Sequence, residues 1–387
     1  MTSAVTDGSA STPGKATGAP IKVGIFNANT ATNPQIEPGV VGGLDYVNNV
    51  LGGINGHPIE LSRCDSDGTP EKAITCATNF VNDKVVAVLD AFDTSSGAAL
   101  PILKSANIPL IGDVAQNPQV DASQDAFVFG PANAVYSVGT IQSFRDQGKK
   151  NVALALGDSP GAHTYVDSFL TPMAKAANIT FTGVYYPPTS PNFSVIASTI
   201  MASNPDAGGA IAITDESQCT TLIKALRSAG FKDTILAAAC TQFIATLGGD
   251  AAGVQVYSNH WLPQSAASAP DSVKAELTAM TTALTKAGSV DKQGFYTYGT
   301  FALFVNFQRA MSTVQGTLDG PTVTKTMLGL KDFQTFIGPK VTCDHTAWAQ
   351  TSACSNQLMY LEVQPDGALE PVGGGFFTAS TELLPSS

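Results

Sequence analysis

The sequence predicts an α/β protein made of two lobes, each built around a mostly parallel sheet. The chain has 387 residues, whereas a single hydrophobic core stops growing at roughly 250 to 300 residues. Short apolar runs alternate with helical patterns, as they do in βαβ units. A first series of this kind begins at Ile21, and a second begins at Asn151.

The first series predicts four strands and three helices. The helix at 70–82 shows the pattern best, because Ile74, Ala77 and Val81 recur at the spacing of one helix face. Pro70 stands at a position that helix starts favour. The strands are expected at 21–27, 59–63, 85–89 and 108–111, and the helices at 39–50, 70–82 and 96–106.

The second series repeats the same small unit. Strands are expected at 151–156, 179–185, 209–214, 234–239 and 254–258, and helices at 165–177, 193–202 and 219–229. The stretch 263–270, rich in Pro, Ala and Ser, is interpreted as a strand that crosses between the lobes. Two long helical patterns follow at 271–286 and 295–314.

Composition limits the function classes. Hydrophobic residues make up 43% of the chain and charged residues 13%, so wholesale disorder is excluded. The formal net charge of -11 repels phosphate backbones, so nucleic acid is not expected as a partner. The longest apolar runs are far shorter than the roughly 20 residues that span a bilayer.

Six cysteines fall into three local couples: Cys64 with Cys76, Cys219 with Cys240, and Cys343 with Cys354. An even number and close spacing favour disulfides in an oxidising compartment, although the sequence alone does not fix the connectivity. Buried free thiols are the alternative. No cysteine or histidine cluster has the spacing of a zinc site, so neither a metal nor a cofactor is expected.

Residues 1–20 are rich in Ser, Thr, Gly and Ala and lack an apolar core segment. We interpret them as a flexible leader. Such a leader is expected where an export signal or a lipid-anchored cysteine precedes the mature domain. We therefore expect the protein outside the cytoplasm, either free or held by a lipid anchor in the full-length precursor.

Several short stretches after the leader resemble one family, in the order in which that family carries them. They are IKVGI at 21–25, GINGHPI at 53–59, VAVL at 86–89 before TSSGAAL at 94–100, IPLI at 108–111, NFS at 192–194, LRSAGF at 226–231 and YGTFA at 298–302. The chain thereby resembles the type I periplasmic binding proteins, in particular the branched-chain amino acid (Leu/Ile/Val) solute receptors of ABC transporters.

The resemblance implies two Rossmann-like lobes joined by three crossing segments, with the ligand between them. It assigns residues 21–136 and 263–338 to lobe I and residues 137–262 and 339–387 to lobe II. Closure of the lobes around the ligand is ordinary hinge motion.

Ligands of open α/β sheets bind outside the carboxyl ends of the strands. The loop at 90–96 is the first candidate, because the hydroxyls of Thr94, Ser95 and Ser96 and the N–H groups of the first helical turn suit a carboxylate. One of these hydroxyls capping the helix is the alternative. In the family, this loop holds the ligand carboxylate. Triple substitution by Ala is expected to abolish binding and to leave thermal stability largely intact.

The loop at 112–118 is the second candidate. The resemblance gives it backbone and hydroxyl contacts to the ligand head group, although Gln116 stands where a threonine is usual. Asp93 and Asp113 either face a cationic or hydroxylated ligand or serve as cap and turn residues. The residues expected here are Asp93, Asp113, Val114, Ala115 and Gln116.

Three loops of the second lobe and one helix start complete the candidate site. Relatives place an aromatic ring in the first loop and a carboxylate in the third, and this sequence has neither there. Asp215 or Glu216 can replace the missing acid, or either can cap the following helix. The residues are Ala162 and His163, Asp215 and Glu216, Thr241 and Gln242, and Phe295 as an aromatic wall.

The sequence favours binding over catalysis. The four histidines have no catalytic motif beside them, and Cys343 beside His345 is the one alternative, a nucleophile that competes with a disulfide. We expect a monomeric ABC-transporter solute-binding protein that carries an amino acid or related small carboxylate to a membrane permease. A ligand-sensing receptor is the alternative from another class.

Overall fold

The computed structural model describes residues 14–27, 33–211, 215–288, 293–348 and 350–384. The chain forms two units, and the predicted α/β lobes are confirmed. Unit 1 extends to residue 133 and includes 275–356, and unit 2 contains 134–274 and the chain from 357 onward. The backbone therefore passes from one unit to the other three times.

The first part of unit 1 alternates strands with helices. Helix 70–83 forms where the sequence predicts it, with Pro70 in its first turn and Ala73, Ala77 and Phe80 buried against the sheet. The elements are β1 (Ile21–Asn27), α1 (Ile36–Asn49), β2 (Ile59–Asp65), α2 (Pro70–Asp83), β3 (Val88–Ala91), a 3₁₀ turn (Ser96–Ala99), α3 (Leu100–Ser105), β4 (Leu110–Gly112), α4 (Pro118–Asp121) and β5 (Ala126–Pro131).

The middle of the chain forms unit 2. Its elements are α5 (Asn133–Asp146), β6 (Asn151–Gly157), α6 (Pro160–Tyr165), a π turn (Val166–Leu170), α7 (Thr171–Ala176), β7 (Thr180–Tyr186), α8 (Phe193–Ala202), β8 (Ala207–Ala210), α9 (Glu216–Ser228), β9 (Thr234–Ala237), α10 (Phe243–Leu247), two 3₁₀ turns (Gly248–Ala251 and Pro263–Ser268) around β10 (Val254–Ser258), and α11 (Asp271–Ala287).

The chain then returns to unit 1 and ends in unit 2. The returning elements are α12 (Phe295–Met311), α13 (Gly320–Leu328), β11 (Phe333–Gln334), β12 (Lys340–Val341) and β13 (Ala353–Ser355). The final elements are β14 (Gln357–Val363), β15 (Leu369–Pro371), β16 (Phe377–Thr378) and a 3₁₀ turn (Thr381–Leu383).

The two sheets repeat one strand order. In unit 1 the order is β2-β1-β3-β4-β5 with β13 at the edge, and all neighbours are parallel. In unit 2 it is β7-β6-β8-β9-β10, followed by the antiparallel strands β14 and β15. The order reverses between β1 and β3, and again between β6 and β8, which gives each sheet a switch point.

Strands covered on both faces explain the continuous apolar runs. All four residues of β3 and all six of β5 are buried, as expected for a parallel sheet with helices on both sides. A core of unit 1 packs Phe26, Phe80, Leu103 and Val128 among smaller side chains. This core therefore packs against the strands whose carboxyl ends carry the candidate site.

Two expectations differ from the structure. The stretch 263–270 is not a strand, since Pro263–Ser268 forms a 3₁₀ turn, and the Ser265 hydroxyl accepts from the Leu262 N–H at 3.0 Å. The chain leaves unit 2 within α11 instead. Residues 1–13 lie outside the described residues, but residues 14–20 pair with the rest of unit 1 through backbone bonds such as Ala16 N–H to Asn48 O at 2.8 Å.

Candidate functional site

Polar side chains lie at or near the carboxyl ends of β1 and β3, the strands on either side of the switch point in unit 1. Asn27 ends β1 with its side chain 6% exposed, and its Oδ1 has no hydrogen-bond partner within the described part of the chain. Asp90 lies within β3, in register with Gly112 of β4. The loop that follows β3 starts after Ala91.

Two buried carboxylates hold the loop after β3. Asp90 and Asp93 are 1% and 0% exposed. The Asp93 N–H donates to Asp90 Oδ1 at 2.7 Å, and the Ser95 N–H and hydroxyl donate to Asp93 Oδ1 at 2.7 and 2.8 Å. Ser66, which follows β2, donates its hydroxyl to Asp93 Oδ2. The loop is thus fastened to the end of a neighbouring strand.

Asn117 fastens the same loop from the side of β4. Its Nδ2 donates to the Ser96 hydroxyl at 3.1 Å, and its Oδ1 accepts from the Val120 N–H at the start of α4. The Ser96 hydroxyl in turn donates to Asp90 Oδ2 at 2.6 Å. We call Ser66, Asp90, Asp93, Ser96 and Asn117 the loop network.

Burial sets the charge of the loop network. Burial, together with the neighbouring charge of Asp93, raises the pKa of Asp90 to about 7, although the hydrogen bonds from Ser96 and from the Asp93 backbone oppose the shift. A second ionised carboxylate so close to Asp93 is costly in a buried site. Asp90 therefore takes up a proton near neutral pH.

The three hydroxyls of this loop have different surroundings. Thr94 is exposed. Ser95 is 6% exposed and donates to Asp93, and Ser96 is 0% exposed within the loop network. Because a hydroxyl has one proton to donate, Thr94 is the hydroxyl that remains available to a ligand.

The loop after β4 is mostly buried. Asp113, Val114 and Ala115 are at most 5% exposed, and Gln116 is half-buried. The Asp113 carbonyl accepts from the Gly130 N–H at 2.8 Å. Gln116 therefore has the most accessible side chain of the four residues predicted here.

Phe295 packs inside unit 1. It is 3% exposed, and its ring centroid lies 5.4 Å from that of Tyr296 and 6.2 Å from that of Phe92. Phe92 itself follows β3 with a φ of 63°, a conformation that is uncommon for an aromatic residue. Phe295 and Tyr296 therefore pack against Phe92 in the loop after β3.

In unit 2, the loop after β6 carries an exposed imidazole. His163 Nε2 lies 2.9 Å from Asp158 Oδ1, and its ring stacks on Tyr185 at 3.8 Å between centroids. Ser159 caps α6 by accepting from the Ala162 N–H at 3.1 Å. The structure thus pairs His163 with an acid and an aromatic ring that the sequence did not indicate.

Glu216 is placed against the loop after β9. Its carboxylate accepts from the Thr241 N–H at 3.0 Å and from the Gln242 N–H at 3.0 Å. The disulfide between Cys219 and Cys240 joins the same two segments. Glu216 therefore places a carboxylate beside this loop, which contains no acidic residue of its own.

Asp215 has the capping role that the sequence left open. Its Oδ1 accepts from the Gln218 N–H at 2.8 Å and from the Ser217 hydroxyl at 2.7 Å. Burial alone would raise the pKa of Asp215, but these bonds outweigh it and hold the pKa below its ordinary value. Of the two acids, Glu216 is the one that faces the loop after β9.

Sequence reasoning missed an aromatic pair in unit 2. The rings of Tyr136 and Tyr257 lie 5.1 Å apart, both half-buried, and the Tyr257 hydroxyl donates to Ile211 O at 3.2 Å beyond the end of β8. Tyr257 is the fourth residue of β10, next to its carboxyl end. That position was a usable signal, because the candidate site follows strand ends.

All six cysteines form the predicted disulfides, Cys64 with Cys76, Cys219 with Cys240, and Cys343 with Cys354. The Cys343 sulfur is consequently not a nucleophile. His345, the other member of that alternative, has its Nδ1 2.9 Å from Thr351 O and stacks on Phe127. The Cys/His hypothesis is not supported by this geometry.

Within the described ranges, no helix has the length and apolar character needed to cross a membrane.

Two doubly wound units, each with polar loops at the switch point of its sheet, are typical of two-unit α/β binding proteins. A model of the periplasmic binding protein family matches residues 20–361. The chain belongs to this family. No curated sequence matches the chain significantly.

Solved structures share the fold at low identity. An extracellular ligand-binding receptor from Rhodopseudomonas palustris is 20% identical with a TM-score of 0.70, covering 92% of this chain and 100% of that one. A fatty acid ABC transporter substrate-binding protein from Thermomonospora curvata is 16% identical with a TM-score of 0.71, covering 96% of each chain. The branched-chain amino acid transporter substrate-binding protein LivJ from Streptococcus pneumoniae, in complex with isoleucine, is 15% identical with a TM-score of 0.69, covering 93% and 99%.

Proposed function

We propose that the protein is the extracytoplasmic solute-binding protein of an ABC transporter, and that loops at the strand ends contact a small polar ligand. The observation that carries the proposal is the ordered polar loop at the β1/β3 switch point, in a chain whose family binds solutes. Three disulfides support an oxidising compartment. A membrane permease is the proposed partner of the ligand-bound form.

The proposed ligand is an amino acid or a related small carboxylate. Thr94 donates its hydroxyl proton to the ligand carboxylate. Asn27 Oδ1, which lacks a partner among the described residues, accepts a hydrogen bond from a donor group of the ligand. From unit 2, Glu216 accepts from an ammonium group and Tyr257 supplies an aromatic face. A micromolar dissociation constant requires about 8 kcal/mol, which a few charge-assisted bonds and one apolar contact provide.

Binding, not catalysis, is the proposed activity. The loop network uses its buried carboxylates to fix a loop, since their hydrogen bonds run to Ser66, Ser95 and Ser96. The thiol of the Cys/His alternative is consumed in a disulfide. Neither feature provides an activated nucleophile.

A thermal-shift screen of amino acids and small carboxylates tests the proposal, because a ligand that binds the native state raises the melting temperature by mass action. Calorimetric titration of each hit then compares Thr94→Val with Thr94→Ser. We expect Val to weaken binding about tenfold, by removing one hydrogen bond to a charged group, and Ser to retain it. The absence of any hit, or equal affinities for both variants, contradicts the proposal.

A further inference from the structure

A cleft lies in unit 1, at the other end of the sheet from the loop network. Its volume is about 820 Å³, within the range of roughly 300 to 1,000 Å³ that small-molecule sites occupy. Ile21, the first residue of β1, lines it, as does the turn just before β2. Because ligands of this sheet type bind at the carboxyl ends, this amino-end cleft is separate from the candidate solute site.

Three segments form the walls of the cleft: residues 15–21, residues 52–57 and residues 311–318. The first wall is fastened to the second through the Thr17 and Gly18 N–H groups, which donate to Gly56 O at 3.1 and 2.8 Å. The His57 Nδ1 lies 2.7 Å from Ala19 O. Since a carbonyl oxygen only accepts, Nδ1 carries a proton there.

The second wall is fastened to the third by side-chain amides. Asn55 Nδ2 donates to Val314 O at 2.9 Å, and Gln308 Nε2 donates to Gly53 O at 2.9 Å. These bonds fix the walls of the cleft relative to one another, so the site is already formed before a ligand binds. A formed site avoids part of the entropic cost of binding.

Lys15 is the charged side chain that lines the cleft. Lys15 and His57 are its ionisable residues, and no aspartate or glutamate belongs to the lining, although the whole chain has 31 acidic and 20 basic residues. Lys15 is exposed and forms no ion pair within the described ranges. The nearest acid along the third wall, Asp319, caps α13 by accepting from the Thr322 N–H at 2.9 Å.

Apolar surface lies next to Lys15. Ile21, Val314 and Leu318 line the cleft and are half-buried. We infer that the amino-end cleft binds a small organic anion, in which a carboxylate meets Lys15 and a short apolar body lies on Ile21, Val314 and Leu318. This site is independent of the proposed solute site.

Calorimetric titration with octanoate tests the inference, and 1-octanol serves as the uncharged probe. Lys15→Glu and Thr17→Glu each place a negative charge in the first wall, at exposed side chains. The bonds that fasten this wall are made by backbone groups, such as the Thr17 N–H, which neither substitution removes. Lys84→Glu is the matched control, because Lys84 is exposed, belongs to the same unit and lies outside the lining. We expect octanoate affinity to fall at least about tenfold in the two cleft variants and to change less than about twofold in the control.

Three results overturn the inference: no octanoate binding by the wild-type protein, equal octanoate affinity in the wild-type and cleft variants, or 1-octanol binding as tightly as octanoate. Thr94→Val separates the two proposals. If octanoate affinity falls in Thr94→Val and persists in Lys15→Glu, the probe occupies the solute site, and the cleft inference fails while the proposed function stands.

Discussion

Burial distinguishes three neighbouring hydroxyls that look equivalent in the sequence. Thr94 is exposed, whereas Ser95 and Ser96 are 6% and 0% exposed and donate to Asp93 and Asp90. The expectation that triple Ala substitution preserves stability does not fit this geometry, because Ser96→Ala removes the donor to the buried Asp90 Oδ2 and Ser95→Ala removes one of the two donors to Asp93 Oδ1.

Single substitutions are expected to separate support from binding. Ser96→Ala should lower the free energy of unfolding by about 1 to 3 kcal/mol, because it deprives the buried Asp90 and Asn117 of a partner. Thr94→Ala, at an exposed position, should change it by less than about 0.5 kcal/mol. Urea unfolding of both variants checks this, and equal losses would show that the loop network adds nothing to stability.

Asp90 makes stability depend on pH. Its pKa is about 7 in the folded protein against 3.8 as the ordinary value, so the folded state holds a proton that the unfolded state has released. The stabilisation is complete below pH 3.8 and is lost as the pH rises through 7, by roughly 4 kcal/mol at most. In Asp90→Asn this loss should disappear, so the variant gains stability relative to wild type from pH 4 to pH 7 in urea titrations.

His260 provides a control of opposite sign in unit 2. Burial lowers its pKa to about 4 from 6.5, against hydrogen bonds with the Trp261 and His260 backbone. Its contribution is present above pH 6.5 and is lost as the pH falls through 4. His260→Gln should therefore gain stability relative to wild type as the pH falls over this range. Slopes of the same sign for Asp90→Asn and His260→Gln would refute one of the two assignments, and the sign itself shows which one.

At the scale of elements, the sequence predicts what has a regular apolar pattern. Helix α8 and strand β10 have the predicted bounds. Helix α5 was not predicted, because its buried residues include Ser137, Thr140 and Gln142, which interrupt the apolar period. The strand expected at 263–270 was wrong, because its Pro and Ser residues close a 3₁₀ turn.

The loops of the candidate site were predictable, because the carboxyl ends of parallel strands share one edge of a sheet. The bonds within them were not. Ser66 reaches Asp93 across 27 positions of the chain, and Glu216 reaches Thr241 across 25. Such pairs depend on strand order, which one sequence does not reveal. The roles of the predicted site residues in ligand contact stay predictions.

The disulfide between Cys219 and Cys240 joins the first turn of α9 to the loop after β9, next to Glu216. Replacing both cysteines by Ala should cost about 3 kcal/mol in stability. It should also weaken ligand binding, because the backbone groups that position Glu216 are loosened. Calorimetric titration of a ligand from the screen measures the second effect.

The disulfide between Cys343 and Cys354 serves as the comparison, because it lies outside the loops after β3, β4, β6, β8 and β9. Its double Ala variant should lose comparable stability and keep its affinity for the ligand. If both double variants bind as the wild type does, the disulfide next to Glu216 has no part in the site.

At the scale of the whole molecule, the chain order makes each unit depend on distant segments. Unit 2 contains residues 134–274, but its sheet continues from β10 into β14, near the end of the chain. Five of the seven residues of β14 are buried. The Thr140 and Tyr360 hydroxyls lie 2.6 Å apart and link α5 to this strand. The tail is therefore part of the core of unit 2.

A fragment of residues 134–274 is accordingly expected not to unfold cooperatively. Without β14, the edge of β10 and the apolar side chains beneath it are exposed, and an unprotected apolar edge promotes aggregation. The same fragment joined through a flexible Gly/Ser linker to residues 357–387 should regain a single cooperative transition, since β14, β15 and β16 restore the sheet.

Circular dichroism melts and size-exclusion chromatography of the two fragments measure this difference. Tyr360→Asp in the linked fragment is the matched control, because it keeps the chain length and places a charge at a fully buried position. It should return the linked fragment to the behaviour of the short one. If the short fragment melts as sharply as the linked one, residues 134–274 form a complete core. The sheet would then be stable without β14, β15 and β16.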